Sequence, residues 1–468
     1  MPAPARVRAL EHAGDLRDKI VLVRVDHNCV KNGVVRDAYR IEQSLPTLYN
    51  IVERGGRPIL ITHVNRPRDG ADGSITIDKS RDGVDAVVDV LRRMLGVTFA
   101  APTFGTAGRG DGIASVDTSI NFLLDDLRAR RIGGIYLPNS RWFAGEEAKA
   151  GSEAYEAFSR QLAGLADVFV NDAFGSWQPH VSTVGVTKYL PSYAGLLMQR
   201  ELRAVEAVLE PVRPFVAVVG GSKLDTKIET LNAVASRCDS LVLGGVVYNA
   251  YLCAKYGVEI EGVSERDVEL AGQLLAPETQ AKIIELPVVV ESTSLQGCGC
   301  VPKEGECGKP MEGAGTTRPL HIDQLQRGAS YGYVLDVAAS SFEDEKVKLA
   351  MQGAKTIFVN AVMGFTSSGF HEGTTALDHA IAENKSARKY FGGGDTIQEF
   401  KSLTPALFMS AVLDPTFYLF TGGGTVLKAL ELGGGEKLET VQCLLADADE
   451  KIPLKEEPKC MRFADCAC

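Results

Sequence analysis

Short apolar runs rich in β-branched residues alternate, along nearly the whole chain, with stretches whose apolar positions recur at helical spacing. In the first half the pattern predicts strands at 20–25 (IVLVRV), 57–62 (RPILIT), 97–101 (VTFAA), 134–137 (GIYL) and 167–171 (DVFVN). The second half repeats it at 214–219, 239–244, 285–290, 331–335, 356–360 and 416–421. Between strands, sets such as Leu202, Val205, Val208 and Leu209, or Val268, Ala271, Leu274 and Leu275, mark one face of a helix. This alternation predicts an α/β architecture with parallel sheets. Its repetition predicts two lobes, each a doubly wound sheet.

Pro191 and Gly195 precede LLMQRELRAVEAVLEP, which reads as a joining helix closed by Pro211 and Pro214. The expected organisation is therefore a lobe at 1–195, a hinge helix at 196–212, a second lobe at 213–435 and a C-terminal segment at 436–468. Two stretches look irregular, 65–75 and an insert at about 292–330 that carries Cys298, Cys300 and Cys307. Cys460, Cys466 and Cys468 form a second cluster, and neither spacing matches a zinc pattern. Reduced surface thiols, a shared metal site or disulfide, and lipid attachment at the terminal Cys-Ala-Cys all stay open.

Composition narrows the class. With 468 residues, 45% hydrophobic and 24% charged, the chain matches an ordinary globular protein, and no apolar run reaches the roughly 20 residues of a spanning helix. A formal net charge of −10 argues against sequence-independent nucleic-acid binding, so an anionic ligand must meet a local basic pocket. The N-terminal MPAPARVRALEHAG lacks an apolar signal core, which leads us to expect the cytoplasm or another reducing intracellular compartment.

Candidate chemistry divides between the halves. The second contains GGSK at 220–223, GGGDT at 392–396 and TGGGT at 421–425, each after a predicted strand or opening a helix. Such turns let backbone N–H groups approach a phosphate, with the helix N-terminus adding favourable partial charge. Tight βα turns are the plainer reading of any one of them. Lys223 and Lys227 share a helix face and suit phosphate oxygens, although surface lysines at this spacing are common. Asp395 could hold Mg²⁺ through few direct bonds, or cap a helix. No GxxxxGK[ST] segment is present. The first half places Asp26, Asn28, Arg40, His63, Arg66 and Arg141 near its strand ends. Ligands of open parallel sheets bind there, and converging arginines grip carboxylate or phosphate; dispersed surface charges are the alternative.

These segments together resemble the phosphoglycerate kinase family. The similarity runs from about residue 6 to about 445 through VLVRVDHN, RIEQSLPT, ITHVNRP, NSRWFAGEE, VFVNDAFG, STVGVTKYLPSYAGLLMQREL, RPFVAVVGGSKLDTKI, TIFVNAVMG, GGGDT and TGGGT, in the family's order. The resemblance implies two Rossmann-like lobes, 3-phosphoglycerate on the first and Mg-ATP or Mg-ADP on the second, with hinge closure before reversible phosphoryl transfer. By matching position it implies that Asp26, Asn28, Arg40, His63, Arg66 and Arg141 hold 3-phosphoglycerate. It likewise implies that Lys223 and Lys227 contact the nucleotide phosphates and the moving phosphoryl group, with Arg40 acting beside them on transition-state charge. Gly221, Gly244, Asn360, Gly393, Gly394 and Thr396 match the nucleotide site, and Asp395 matches the metal residue.

The chain departs from the family at several places. After NDAFG, SWQPHVS stands for the usual TAHRAHAS, so Gln178 and Pro179 replace a substrate arginine. WNGPMGVFE becomes VNAVMGFTS at 359–367, without the acidic residue for the ribose; the glycine triplet reads GGV at 244–246, DFN reads Asp26-His27-Asn28, and DIGP reads DVAA at 336–339. An active enzyme with altered nucleotide affinity is the main expectation. An impaired relative with a structural or assembly role, and a kinase for another small acid, are the alternatives. A monomer is expected, with the Cys-rich insert and tail as contacts for any protein partner.

Overall fold

The computed structural model describes residues 7–68, 72–104, 108–221, 224, 228–295 and 315–446. Lys223, Lys227 and the clusters Cys298, Cys300, Cys307 and Cys460, Cys466, Cys468 lie outside them. The chain divides into two compact units. One gathers the described residues of Met1–Ala173, Trp177–Gln199 and Glu439–Cys468; the other is formed by Phe174–Ser176 and Arg200–Leu438.

The first unit is built on six parallel strands, β1 (Ile20–Arg24), β2 (Arg57–Ile61), β3 (Phe99–Ala100), β4 (Gly134–Tyr136), β5 (Val168–Asn171) and β6 (Ser192–Ala194), in the spatial order β6-β5-β1-β2-β4-β3. β1, β4 and β5 are buried at every position, which is why they read as unbroken apolar runs rather than alternating ones. Leu22, Ile59, Ile135 and Phe169 face one core, and Val21, Val23, Leu60 and Val170 face the other. Strand order reverses at β1, whose neighbours are β2 and β5, and at such a switch point the loops beyond the strand ends diverge and leave a crevice.

The second unit contains five parallel strands, β7 (Phe215–Gly221), β8 (Ser240–Gly244), β12 (Thr356–Asn360), β13 (Arg388–Phe391) and β14 (Phe417–Leu419), ordered β8-β7-β12-β13-β14. A separate antiparallel sheet takes β9 (Val288–Ser292), β10 (Thr317–His321) and β11 (Tyr333–Val337), with β9 central. The runs at 285–290 and 331–335, expected in a parallel sheet, therefore belong to this smaller one. β9 meets both partners antiparallel, and β10 presents an exposed, polar Thr-Arg-Pro-Leu-His edge strand with its proline in a position an edge tolerates.

The joining helix spans Leu196–Leu209 and starts in the first unit. Asp172 Oδ1 accepts the N–H of Leu197 at 2.9 Å and that of Met198 at 3.3 Å, tying the helix start to the end of β5. The segment after 438 returns to the first unit: Leu444 O accepts Arg8 N–H at 2.8 Å and Val7 bridges Leu445.

Candidate functional site: a basic crevice and a glycine-lined cavity

Beyond the C-terminal ends of β1, β2 and β4, charged side chains cluster in the first unit in two hydrogen-bonded groups close enough to influence each other electrostatically. Arg24 ends β1 and is fully buried; it donates to Ser182 Oγ at 2.8 Å, Val25 O at 2.6 Å and His63 Nδ1 at 2.9 Å. Because arginine only donates, His63 accepts at Nδ1 and carries its proton on Nε2. Burial, with the nearby Arg24 charge, pushes the His63 pKa well below its ordinary value, in accord with a neutral ring.

Arg40, near the start of the helix Tyr39–Glu53, reaches both Asp26 oxygens and Asn28 O from Nη1, each at 3.3 Å. Burial raises the Asp26 pKa, but Arg40 leads the surrounding charges that bring it below the usual range. Asn28 Oδ1 accepts the Asn65 N–H at 2.9 Å, and Asn65 O accepts Arg141 Nη1–H at 2.6 Å. Asn139 Oδ1 takes the backbone N–H of Arg141 at 3.1 Å, while its Nδ2 bonds Val64 O and Asp82 O, so the loop that carries Arg141 is anchored to its neighbours. Arg141 Nε lies 2.8 Å from Glu147 Oε1 but off the hydrogen-bond axis, leaving that N–H without an aligned acceptor. The Nε–Nη2 edge is one an arginine offers to a planar or tetrahedral anion.

The structure thus bonds Asp26, Asn28, Arg40 and Arg141 into one group through Asn65, places His63 on Arg24 within electrostatic reach of it, and leaves Arg66 exposed. It also brings in residues the sequence reading passed over. Arg24 was visible as a charge inside an apolar run, whereas Ser182 and Glu146, which accepts Ser182 N–H at 3.0 Å and Oγ–H at 2.5 Å, carried no signal. His27 is structural: Ser44 Oγ gives its proton to Ile41 O, so it accepts from His27 Nε2 while Tyr136 donates to Nδ1. Burial drives the His27 pKa down to about 3.

In the second unit a cavity of about 520 Å³ opens past the ends of β7 and β12, where that sheet's order also reverses. Gly221, Asn360, Gly393, Gly394, Asp395 and Thr396 line it; Gly244 does not, its place being taken by the following Gly245. Gly244 instead packs behind the cavity, where an added Cβ would lie 2.4 Å from Met363 Cε. Asn360 Nδ2 donates to Gly392 O at 2.6 Å, fixing the loop that leads into the helix Gly394–Leu403. Asp395 lies within that helix rather than at its cap, which is Gly393, and its carboxylate is exposed at the cavity. An exposed carboxylate beside a glycine turn has donors of the kind that suit Mg²⁺, an ion that keeps most of its waters and takes few direct protein ligands.

The phosphoglycerate kinase family profile matches residues 10–433. The chain belongs to the phosphoglycerate kinase family. Among its relatives, the phosphoglycerate kinase of Rhodospirillum centenum is 33% identical over 436 residues, covering 91% of this chain and 96% of that protein. That of Rhizobium leguminosarum bv. trifolii is 31% identical over 447 residues, covering 94% and 98%. The fold is that of the phosphoglycerate kinase structures from Coxiella burnetii, with TM-score 0.69, 24% identity and coverage of 94% and 98%, and Pyrococcus horikoshii, with 0.70, 22%, 93% and 98%.

Of the second-unit positions at which the sequence leads us to expect departures from the family, Val246, Ala361, Val362, Phe365, Thr366 and Ser367 line the cavity, whereas Val337, Ala338, Ala339 and Val359 do not. Their side chains are uncharged. In the first unit, Gln178 and Pro179 are exposed, and His180, the next residue, turns toward Glu147 with Nε2 3.8 Å from Oε1.

Proposed function

We propose that the protein transfers the γ-phosphoryl group of ATP reversibly to the carboxylate of 3-phosphoglycerate, giving ADP and 1,3-bisphosphoglycerate. The bond from the γ-phosphorus to the β,γ-bridging oxygen breaks as a bond to the carboxylate oxygen forms. The carrying observation is the cluster of three guanidinium groups, buried Arg24 with part-buried Arg40 and Arg141, which gives a chain of net charge −10 a concentrated site for an acidic substrate. In this reading Asp26 and Asn28 hold Arg40 and Arg141 in place, neutral His63 offers Nε2–H, and Arg66 reaches in from the surface. Gly221, Gly393, Gly394, Asn360 and Thr396 receive the nucleotide, and Lys223 and Lys227 neutralise its phosphates. Asp395 would hold Mg²⁺, which supplies charge neutralisation at the phosphates. Arg40 meets the negative charge that spreads over the phosphoryl oxygens in transit.

A coupled assay in both directions with Mg²⁺ tests this. Turnover requiring both reactants is expected; binding of both reactants without turnover would leave a ligand-binding relative instead.

The cavity lining gives a second expected result. Where the family has an acidic residue for the ribose, this chain has Ser367 among neutral neighbours, so binding rests on phosphate contacts. Apolar walls separate similar bases poorly, and ATP, GTP and ITP should differ by no more than about tenfold in dissociation constant. Affinity should fall steeply with added salt. Adenine-selective binding that salt leaves unchanged would refute this.

The first unit gives a third. Exchanging Gln178-Pro179-His180 for His-Arg-Ala-His should tighten 3-phosphoglycerate binding about 10- to 100-fold, the range of one charge-assisted hydrogen bond. Calorimetry showing no gain would mean that another residue already serves as the arginine.

A further inference from the structure

Glu147 is a carboxylate inside an anion-binding crevice, and no role assigned above requires it. Three basic side chains from three separate segments approach it: Arg141 Nε at 2.8 Å from Oε1, His180 Nε2 at 3.8 Å from Oε1, and Arg68 Nε at 3.8 Å from Oε2. Two readings of such a carboxylate predict opposite effects. As a positioning group, it would hold Arg141 for the substrate, and its loss would weaken binding. As a competing anion, it would occupy the cation the substrate needs, and its loss would strengthen binding.

The geometry favours the second. Arg141 is fixed by bonds that do not involve Glu147, from its backbone N–H to Asn139 Oδ1 and from Nη1 to Asn65 O. The Glu147 contact is close yet unaligned, which makes it an interaction of charge rather than a directional hydrogen bond. Its side chain keeps 23% of its exposure, so it has space to withdraw, and Arg68 is also exposed. Glu146, by contrast, is fully buried and bonded twice to Ser182, and is fixed in place.

We propose that Glu147 is a resident counter-ion of the substrate crevice: with no ligand bound it balances Arg141 and Arg68, and an acidic substrate binds by displacing it from Arg141. Glu147 then sets how much negative charge a ligand needs. A multiply charged phospho-acid displaces it, whereas a singly charged hydroxy acid does so poorly. This inference rests on the reading that Arg141 receives the acidic substrate.

The test is calorimetry at fixed ionic strength, with 3-phosphoglycerate and with sulfate, on the full chain and on E147Q, R141A and the double variant. E147Q should bind both anions about tenfold more tightly, the effect of removing one unit charge several ångströms away in a partly solvated site. The gain should vanish in the double variant, and ADP affinity should not change. E147A serves the same purpose if E147Q folds poorly, as judged by thermal melting. Unchanged or weaker anion binding in E147Q would overturn the proposal in favour of a positioning or purely structural role. A gain that survives R141A would overturn the displacement from Arg141. If 3-phosphoglycerate binds to neither protein while sulfate binds more tightly to E147Q, the substrate reading fails and the counter-ion stands. No anion binding to any of them would end both.

Discussion

Replacing Arg40 with alanine should lower turnover by about 10²- to 10³-fold, the usual cost of removing one donor aimed at developing charge, while leaving nucleotide affinity nearly unchanged. The side chain is suited to this. Its contacts with Asp26 and Asn28 are all 3.3 Å, long for charge-assisted bonds, and 29% of it stays exposed, so it is oriented without being consumed. An interaction made mainly in the transition state reduces kcat and kcat/KM together, whereas one that only holds the substrate raises KM. Arg40→Lys keeps the charge but loses the planar fork, and should recover only part of the loss. The mutation also leaves Asp26 buried with one cation fewer, so thermal melting must accompany the kinetics. Equal turnover in wild type and Arg40→Ala would remove Arg40 from the chemistry.

The strands that dominate both parallel sheets were legible because burial on both faces makes them unbroken apolar runs. β13 escaped for the opposite reason. Its sequence, Arg-Lys-Tyr-Phe, opens with two cations, yet Lys389 is buried. Its ammonium donates to Ala387 O at 3.0 Å and Thr416 Oγ1 at 3.2 Å and sits 4.6 Å from the centre of the Phe417 ring. These partners lie close along the chain or one strand away, and hydropathy does not reveal them. β6, only three residues long and beginning with serine, gives too short a signal to separate from a loop. The antiparallel sheet was misread because an apolar run states burial but not strand direction.

At the site, residue type just past strand ends drew attention to His63 and Arg141, and a helix start to Arg40, since an open parallel sheet brings such positions to one edge; dispersed surface charges stayed the alternative until the fold placed these side chains near one another. The carboxylates that oppose them could not be found this way. Glu146 and Glu147 are adjacent in sequence and face different partners, one Ser182 and the other Arg141. That division depends on backbone geometry, which periodicity does not encode. In the second unit the sequence already grouped the expected departures on the nucleotide side, but not their arrangement: Val246 joins the 361–367 segment on the cavity wall, while the 337–339 segment stays off it.

Gly393→Ala should abolish measurable nucleotide binding at concentrations that saturate the wild type, with a smaller loss of thermal stability. Gly393 has φ +117°, a conformation L side chains rarely adopt, so strain of order 1–3 kcal/mol arises from the backbone alone. The space is also taken. An added Cβ would lie 2.8 Å from Asn360 Nδ2 and 3.0 Å from Thr396 Oγ1, two groups of the cavity wall. Asn360 cannot retreat without losing its 2.6 Å bond to Gly392 O, the contact that shapes this turn. Gly423 packs against the other side: its own Cβ, if present, would come within 2.3 Å of Gly393 Cα. The turn is therefore confined between Asn360 and Gly423, and relief of the clash must rotate the backbone N–H groups that would face a phosphate. Gly394→Ala makes the matching control, because nothing lies within 4 Å of an added Cβ there and the residue already opens a helix. It should keep nucleotide affinity within about threefold, as an alanine in a helix costs no strain. If Gly393→Ala binds ADP as tightly as wild type does, the phosphates do not lie on this turn, and the nucleotide must be sought elsewhere in the cavity.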